Sequence, residues 1–454
     1  MTIMNINFHH LKNDQSVMIK KIFGSSLAAV DPYQVVHDAI TLEKNILEIR
    51  GYTYDLDDID RVLLVGMGKA AIAMAAGAYT KLRNVIDEGV VVAKHANDNW
   101  DLPEEIKILY GSHPLPTSKS INSASAIIKF VKQSKDDDLI INLISGGGSA
   151  LVTSPVEPLE IEDIKNLTKS LLQSGATIQE INTIRKHIDA VKGGGVAEIA
   201  GMTPMISLIL SDVLGDDISM IASGPTCGDP TTFEHARDII RKYQLESKIS
   251  PFIIDTLKSG IKGNIKETLK PNSPLLHNKH HYIVGNITKS IKSAKQTAEE
   301  LGFNTSILST FLSGEAREIG RAAGSILKTV SETDLVVERP ALIIAGGETT
   351  VTVKGDGLGG RNQEIAFGAL DIMDGLRDCT LVSFATDGED GPTDAAGAYV
   401  TGNTFRRAID AGLAPVGFGE NNDTYSLFNQ LGNLIRVGPT GTNVNDLLFL
   451  FAFQ

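Results

Sequence analysis

What most constrains this chain is a repeated pairing: a short, continuous, β-branched run, then at once a loop of glycines and small polar residues. Five loops have that placement: Gly66-Met67-Gly68-Lys69-Ala70, Ser145-Gly146-Gly147-Gly148-Ser149, Ser211-Asp212-Val213-Leu214-Gly215-Asp216, Gly346-Gly347-Glu348-Thr349 and Thr386-Asp387-Gly388-Glu389-Asp390. The runs before the first three include Arg61–Val65, Leu139–Ile144 and Met205–Leu210, with a further run at Gly89–Ala93, and helical patterns lie between them. Buried strands alternating with helices argue for a parallel sheet covered on both faces. In such sheets ligands bind beyond the carboxyl ends of the strands, where these loops would converge on one crevice.

A chain of 454 residues exceeds what one core normally fills, so two domains are expected. Asp31 and Pro32 mark the start of a helix whose apolar face is Val35, Val36, Ala39 and Ile40. The polar stretch 261–281 reads as a linker or a surface excursion, and a second alternating set follows it. That set comprises strand Tyr282–Val284, helix Lys289–Leu301, strand Asn304–Leu308, helix Glu315–Val330, and strands Ala341–Ala345 and Thr380–Ala385. The boundary falls near residue 270, giving domains 1–270 and 271–454.

A net charge of −13 argues against non-specific nucleic-acid binding, yet leaves room for a local basic pocket. The two cysteines, Cys227 and Cys379, make neither a disulfide framework nor a zinc site, which points to a reducing cytoplasm. No apolar run is long enough to span a bilayer, and the first residues lack a secretory layout, so no membrane partner is expected. A homodimer is the base-rate expectation for quaternary state.

Glycine lets backbone N–H groups approach an anion closely. Gly66-x-Gly68-x-x-Ala71 matches the outline of a dinucleotide fingerprint, but the next strand ends in Lys94 and His95 where a ribose-binding acid belongs. Lys69 suits a phosphate or carboxylate; the bland alternative is a tight turn with Lys69 merely solvated. Ser145, Gly146, Gly147, Gly148 and Ser149 read as an anion cradle, with a plain turn or a Ser149 nucleophile as alternatives. No G-x-S-x-G elbow is formed, and neither a Walker A nor a protein-kinase catalytic loop occurs.

Asp212 could activate a hydroxyl, and Asp387 and Asp390 could hold Mg²⁺, which takes one or two carboxylates plus phosphate oxygens. Asp229 is a weaker candidate, and each of these could instead cap a turn. Gly347, Glu348 and Asn362 join the ligand-loop candidates. Arg361, between a glycine pair and a helix spanning Glu364–Asp371, could grip a carboxylate or phosphate bidentately or simply pair with Glu364. Residues 438–446, with Asn443 and Asn445, form another small-residue loop expected to lead into a helix. His113 lies in a turn that could touch ligand, and His187 reads as structural.

Taken in order, VGMGKAA, GSHPLP, LISGGGSAL, IRKHIDAVKGG, SDVLGDD, ASGPT, GGETTVTVKG, GGRNQE, ATDGEDGPTDAAGA and TGTNVNDL resemble the glycerate 2-kinase family, whose C-terminal half carries the MOFRL domain. The resemblance runs from about residue 20 to 450. It implies an α/β protein with an N-terminal Rossmann-like doubly wound parallel sheet, a smaller C-terminal MOFRL-type domain, and an active site in the cleft between them. It also implies transfer from ATP to D-glycerate, usually giving 2-phosphoglycerate, with Mg²⁺ or another divalent cation. Lys69 and Arg361 match its substrate- or phosphate-binding basic residues, and Asp212 an acidic site position. Some members carry the label hydroxypyruvate reductase, so an NAD(P)H-dependent reductase is the rival enzyme. A non-catalytic sugar-phosphate-binding regulator is the rival from another class, though the acidic chain offers no DNA-binding module.

Overall fold

The computed structural model describes residues 6, 8–95, 100–333 and 335–454. Backbone contacts divide the chain into two compact units, Pro32–Val284 and a second made of Met1–Asp31 with Gly285–Gln454.

The Pro32–Val284 unit opens with an antiparallel three-stranded sheet that sequence reading had missed: β1 (Ile40–Glu43), β2 (Ile46–Ile49) and β3 (Tyr52–Asp55). Ile40, expected on a helix face, begins β1, because the helix from Pro32 stops at His37. The main sheet contains β4 (Val62–Met67), β5 (Ile86–Ala93), β6 (Ile106–Tyr110), β7 (Leu139–Ile144), β8 (Met205–Leu210) and β9 (Lys279–Gly285). Their order is β6-β5-β4-β7-β8-β9, and the first five run parallel. This is the doubly wound arrangement in which chain order reverses beside the first strand, here between β4 and β7.

Burial of β4, β7 and β8 along their whole length follows from cover on both faces. Helix Ser118–Val131 packs Ala124, Ile127 and Val131 against Leu63, Val65, Val90 and Val92 on one face. The alanine-rich helix Ala71–Leu82 covers strands from the other face, its Ala71, Ala75 and Ala78 fully buried. Tyr282–Val284, expected in the second domain, lies in β9 and completes this sheet. Strand pairing is non-local, so a composition break near 270 could not reveal which sheet the next strand joins.

In the other unit β10 (Asn304–Leu312), β11 (Ala341–Gly347), β12 (Cys379–Ala385), β13 (Gly397–Thr401), β14 (Leu434–Ile435) and β15 (Asp446–Ala452) form a mixed sheet ordered β10-β11-β15-β12-β13-β14. β15 runs antiparallel between β11 and β12, so residues 438–446 lead into a central strand and not into a helix. Its sequence, DLLFLFA, is apolar all round because both faces are covered, which hides the period of two. Helices Ala316–Glu332 and Arg361–Ala369 pack on one face. Helix Ile287–Glu300 packs on the opposite face beside the N-terminal helix Asn13–Ala28, which the sequence reading also lacked. Ile19, Ile22, Phe23 and Leu27 bury that helix against Ile287 and Phe384, at about 1.5–3 kcal/mol for each large side chain. This apolar stripe draws the first 31 residues into the second unit.

Candidate active site

Each unit gathers its glycine loops at strand ends. In the Pro32–Val284 unit, β4 and β7 are paired up to Met67 and Ile144, so the loops leaving them emerge side by side. Lys69 N–H donates to the Gly146 carbonyl at 2.9 Å, and Ala70 N–H to Ser145 Oγ at 3.1 Å. Gly68 has φ +135°, and a Cβ there would lie 2.1 Å from Ser145 Oγ, so no other residue fits without separating the loops. A Cβ on Gly147 would meet Lys69 Cγ and the His113 ring, each at 3.1 Å. On Gly146 it would meet the Asp212 carboxylate at 1.9 Å.

Close packing therefore brings Lys69, the 145–148 loop, Asp212 and His113 to one point. Lys69 is exposed there. Burial, assisted by the charges of Lys69 and Lys94, pushes His113 down to about 4, so its ring is neutral at physiological pH. The result is a positive patch whose histidine can act only as a neutral hydrogen-bonding group.

Other expected residues have structural neighbours. Gly66 lies within β4, where a Cβ would press on Val91 at 3.2 Å; it packs the sheet and does not line a loop. Ser149 Oγ is 2.9 Å from Ser223 Oγ, which donates to Asn182 Oδ1 at 3.1 Å. No histidine or carboxylate hydrogen-bonds Ser149 among the described residues, so this serine lacks the base a nucleophile needs. Asp229 accepts from the Thr231 N–H and hydroxyl and the Thr268 hydroxyl, and faces Lys186 at 3.4 Å; it ties local loops together.

In the other unit the ends of β11 and β12 and the start of β15 meet the start of helix Arg361–Ala369. Asp446 grips Arg361 through two contacts, Nε to Oδ2 at 2.5 Å and Nη2 to Oδ1 at 3.2 Å. Glu348 takes Nη1 at 2.6 Å. Arg361 thus pairs with these two acids, whereas Glu364 pairs with Arg317. Burial works against the Arg361 charge, but Asp446 and Glu348 outweigh it and hold its pKa above the ordinary value. Burial raises Asp446 above the carboxylate range despite that partner. Among the described residues two of the five guanidinium N–H donors are hydrogen-bonded, Nη1–H to Glu348 and Nη2–H to Asp446, while Nε lies in ion-pair contact with Asp446 Oδ2. Arg361 also lines a cavity of about 670 Å³ with Val351, Val353, Gly360, Glu389 and Pro392.

Asp390 does not fit a cation ligand. It is buried, and its two oxygens accept from the backbone N–H groups of Asn362 and Gln363 and from both side-chain amides. This carboxylate caps the helix that carries Arg361. Asn362, expected near nucleotide, is turned into that cap and accepts from the Ser383 hydroxyl at 2.7 Å. Asp387 is part-buried and receives the Glu389 N–H at 3.1 Å. Gly347 packs under β10, where a Cβ would lie 2.0 Å from the Leu312 carbonyl. Asn443 Oδ1 accepts the Asn445 N–H at 3.1 Å, and Asn445 takes φ +70° to aim Asp446 inward. The one group of three acids close enough to share an ion among the described residues is Asp60, Asp137 and Asp138, at the starts of β4 and β7 and so at the strand ends opposite the Lys69 and Ser145 loops. Asp446 was missed because its loop was read as entering a helix.

Fold and loops together define a two-unit α/β protein with a doubly wound sheet and oxyanion-ready turns. A domain of unknown function (DUF4147) matches residues 18–258, and the MOFRL family matches residues 341–446. The chain is 42% identical to the D-glycerate 2-kinase of Thermotoga maritima, over 86% of this chain and 90% of that one. It is 38% identical to the glycerate 2-kinase of Pyrococcus horikoshii, over 94% and 95%. The crystal structure of a Thermotoga maritima glycerate kinase superposes with a TM-score of 0.85 at 40% identity, covering 97% of this chain and all of that one. A chain from Agrobacterium vitis bearing the name putative hydroxypyruvate reductase is 37% identical over 96% of this chain and 94% of that one. This chain belongs to the glycerate 2-kinase family. Among the described residues no helix is long and apolar enough to cross a membrane.

Proposed function

We propose that this protein transfers the γ-phosphoryl group of ATP to D-glycerate, forming 2-phosphoglycerate. The observation that carries the reading is the junction of the β4 and β7 loops, which sets Lys69 and Asp212 against a glycine-lined turn at the reversal point of the sheet. Phosphoryl transfer asks a protein for positioning and charge stabilisation more than for covalent chemistry. Lys69 binds an anionic oxygen of substrate or phosphate, the 145–148 backbone lies along it, and Asp212 orients or deprotonates the acceptor hydroxyl. Neutral His113 adds a hydrogen bond without a further charge. In its own unit Arg361, held in aim by Asp446 and Glu348, is assigned an anion-binding role. Asp387, Asn443 and Asn445 are assigned to the same nucleotide-binding role. Asp387, part-buried after β12, is the carboxylate that would hold a Mg²⁺ ion, which would supply charge neutralisation for the phosphates.

The reductase reading is disfavoured by the end of β5, where Ala93 is followed by Lys94 and not by an acid that could hold a ribose. Incubation with ATP, Mg²⁺ and D-glycerate, read by phosphorus NMR, should give the 2-phosphate resonance. NADH consumption with hydroxypyruvate, without any phosphorylated glycerate, overturns the proposal.

A further inference from the structure

Beneath the Ser145–Ser149 loop lies a cavity of about 10 Å³ lined by Ser149, Thr153, Thr168, Arg185, Asp189 and Lys192, room for roughly one water. Its charges do not cancel. Lys192 is buried, and its Nζ faces three acceptors: the Val152 carbonyl at 3.2 Å, Thr153 Oγ1 at 3.4 Å, and Asp189 Oδ2. The Thr153 hydroxyl already donates to the Ser149 carbonyl at 2.9 Å, so it can only accept from Lys192. Three acceptors and no donor match an ammonium with Asp189 as its counter-ion, which opposes the downward pull of burial on the Lys192 pKa. Asp189 is otherwise occupied by the N–H groups of Ser154 and Val191.

Arg185 is left over. Among the described residues its one hydrogen bond goes to Thr168 Oγ1 at 3.3 Å, a neutral hydroxyl. Burial lowers its pKa, and Asp189 opposes this only in part. Arg185 is part-buried and Lys192 buried, so two cations share one carboxylate where little water reaches, and such a net charge is costly unless something completes it.

We infer that Arg185 supplies the positive charge neutralised when an oxyanion settles on the Ser145–Ser149 loop, directly or through one water. It is a second cation at this loop beside Lys69: Lys69 Cγ packs on Gly147, and Arg185 lines the cavity with Ser149. The identity of the oxyanion, a glycerate carboxylate or a phosphate, rests on the proposed phosphotransfer; the charge balance does not.

The full chain and its Arg185→Gln variant are compared by thermal shift and calorimetry with inorganic phosphate and with D-glycerate, each alone. The expected result is that one anion stabilises the wild type, with Kd at least about tenfold weaker in the variant, the scale of one lost charge-assisted contact. The unliganded variant should melt at or above the wild-type temperature, because it no longer buries an unbalanced charge. A merely structural arginine predicts the reverse: a lower Tm with Kd unchanged, which overturns the inference, as does a wild type that binds neither anion. If Arg185→Gln does not fold, Arg185→Lys decides: Kd within about threefold of wild type upholds a role for charge, and lost binding in a folded protein refutes it. A wild type that binds anion through Arg185 yet shows no kinase turnover retires the phosphotransfer reading alone.

Discussion

Gly146→Ala isolates Asp212 without touching it. A Cβ on Gly146 would have as its three nearest neighbours Oδ2, Cγ and Oδ1 of Asp212, at 1.9, 2.6 and 3.3 Å. The backbone of Gly146 is not in the left-handed region, so alanine is allowed there and the clash is with a side-chain tip. Ordinary contact begins at 3.4 Å, so the carboxylate must retreat by about 1.5 Å while the loop stays in place. Misplacing a reacting group by about 1 Å costs roughly 100-fold, or ~2.7 kcal/mol of barrier. Steady-state kinetics on Gly146→Ala should therefore show kcat down about 100-fold, with Tm close to wild type. Asp212→Asn should also lower kcat, and Gly146→Ala added to it should cost far less than in the wild-type background, since both act through one group. Fully additive losses, or near wild-type turnover in Gly146→Ala, would remove Asp212 from the mechanism.

Lys69→Ala should lower kcat/KM by roughly 100-fold or more, and Arg361→Lys should lose activity as well, because lysine cannot reproduce the paired contacts to Asp446; wild-type kinetics in both would reject these assignments. His113 should titrate near 4 by NMR in the folded chain, and Lys69→Ala should raise that value by removing one of its causes. Since the folded value lies below the unfolded one of about 6.5, His113 should contribute a loss of stability as pH falls from about 6.5 towards 4, and His113→Asn should flatten that part of the Tm–pH curve. Asp390→Ala should lower stability by on the order of 3 kcal/mol through stranded donors at the helix start, and chelators should leave the wild-type Tm unchanged; a chelator-sensitive Tm equal to that of the variant would restore Asp390 as a metal ligand.

How much was legible follows from which signals are local. The strand-then-glycine pairing marked β4, β7, β8, β11 and β12 and so exposed Lys69, Asp212 and the 145–149 loop, because a close backbone approach needs small residues in the sequence itself. β15 was not legible: buried on both faces, it has no alternation, and its place between β11 and β12 depends on strands some sixty to a hundred residues away. That error hid Asp446. The N-terminal helix was missed for a related reason: its stripe of Ile19, Ile22, Phe23 and Leu27 finds its partner near residue 290.

Acidic residues divide along the same line. Asp212, Asp387 and Asp390 all follow apolar strands, and as letters they are equivalent candidates for chemistry. Asp390 differs because helix Arg361–Ala369 starts against it and spends both its oxygens on backbone and amide donors. Asp446 differs again, since a guanidinium occupies it from the side. Neither is free to bind a ligand, yet both decide whether Arg361 can: one fixes the turn from which the arginine projects, the other fixes its rotamer. The sequence pattern GGRNQE therefore encodes a supported arginine, with Asn362 and Gln363 serving the support while Arg361 lines the cavity beside Gly359, Gly360 and Glu364.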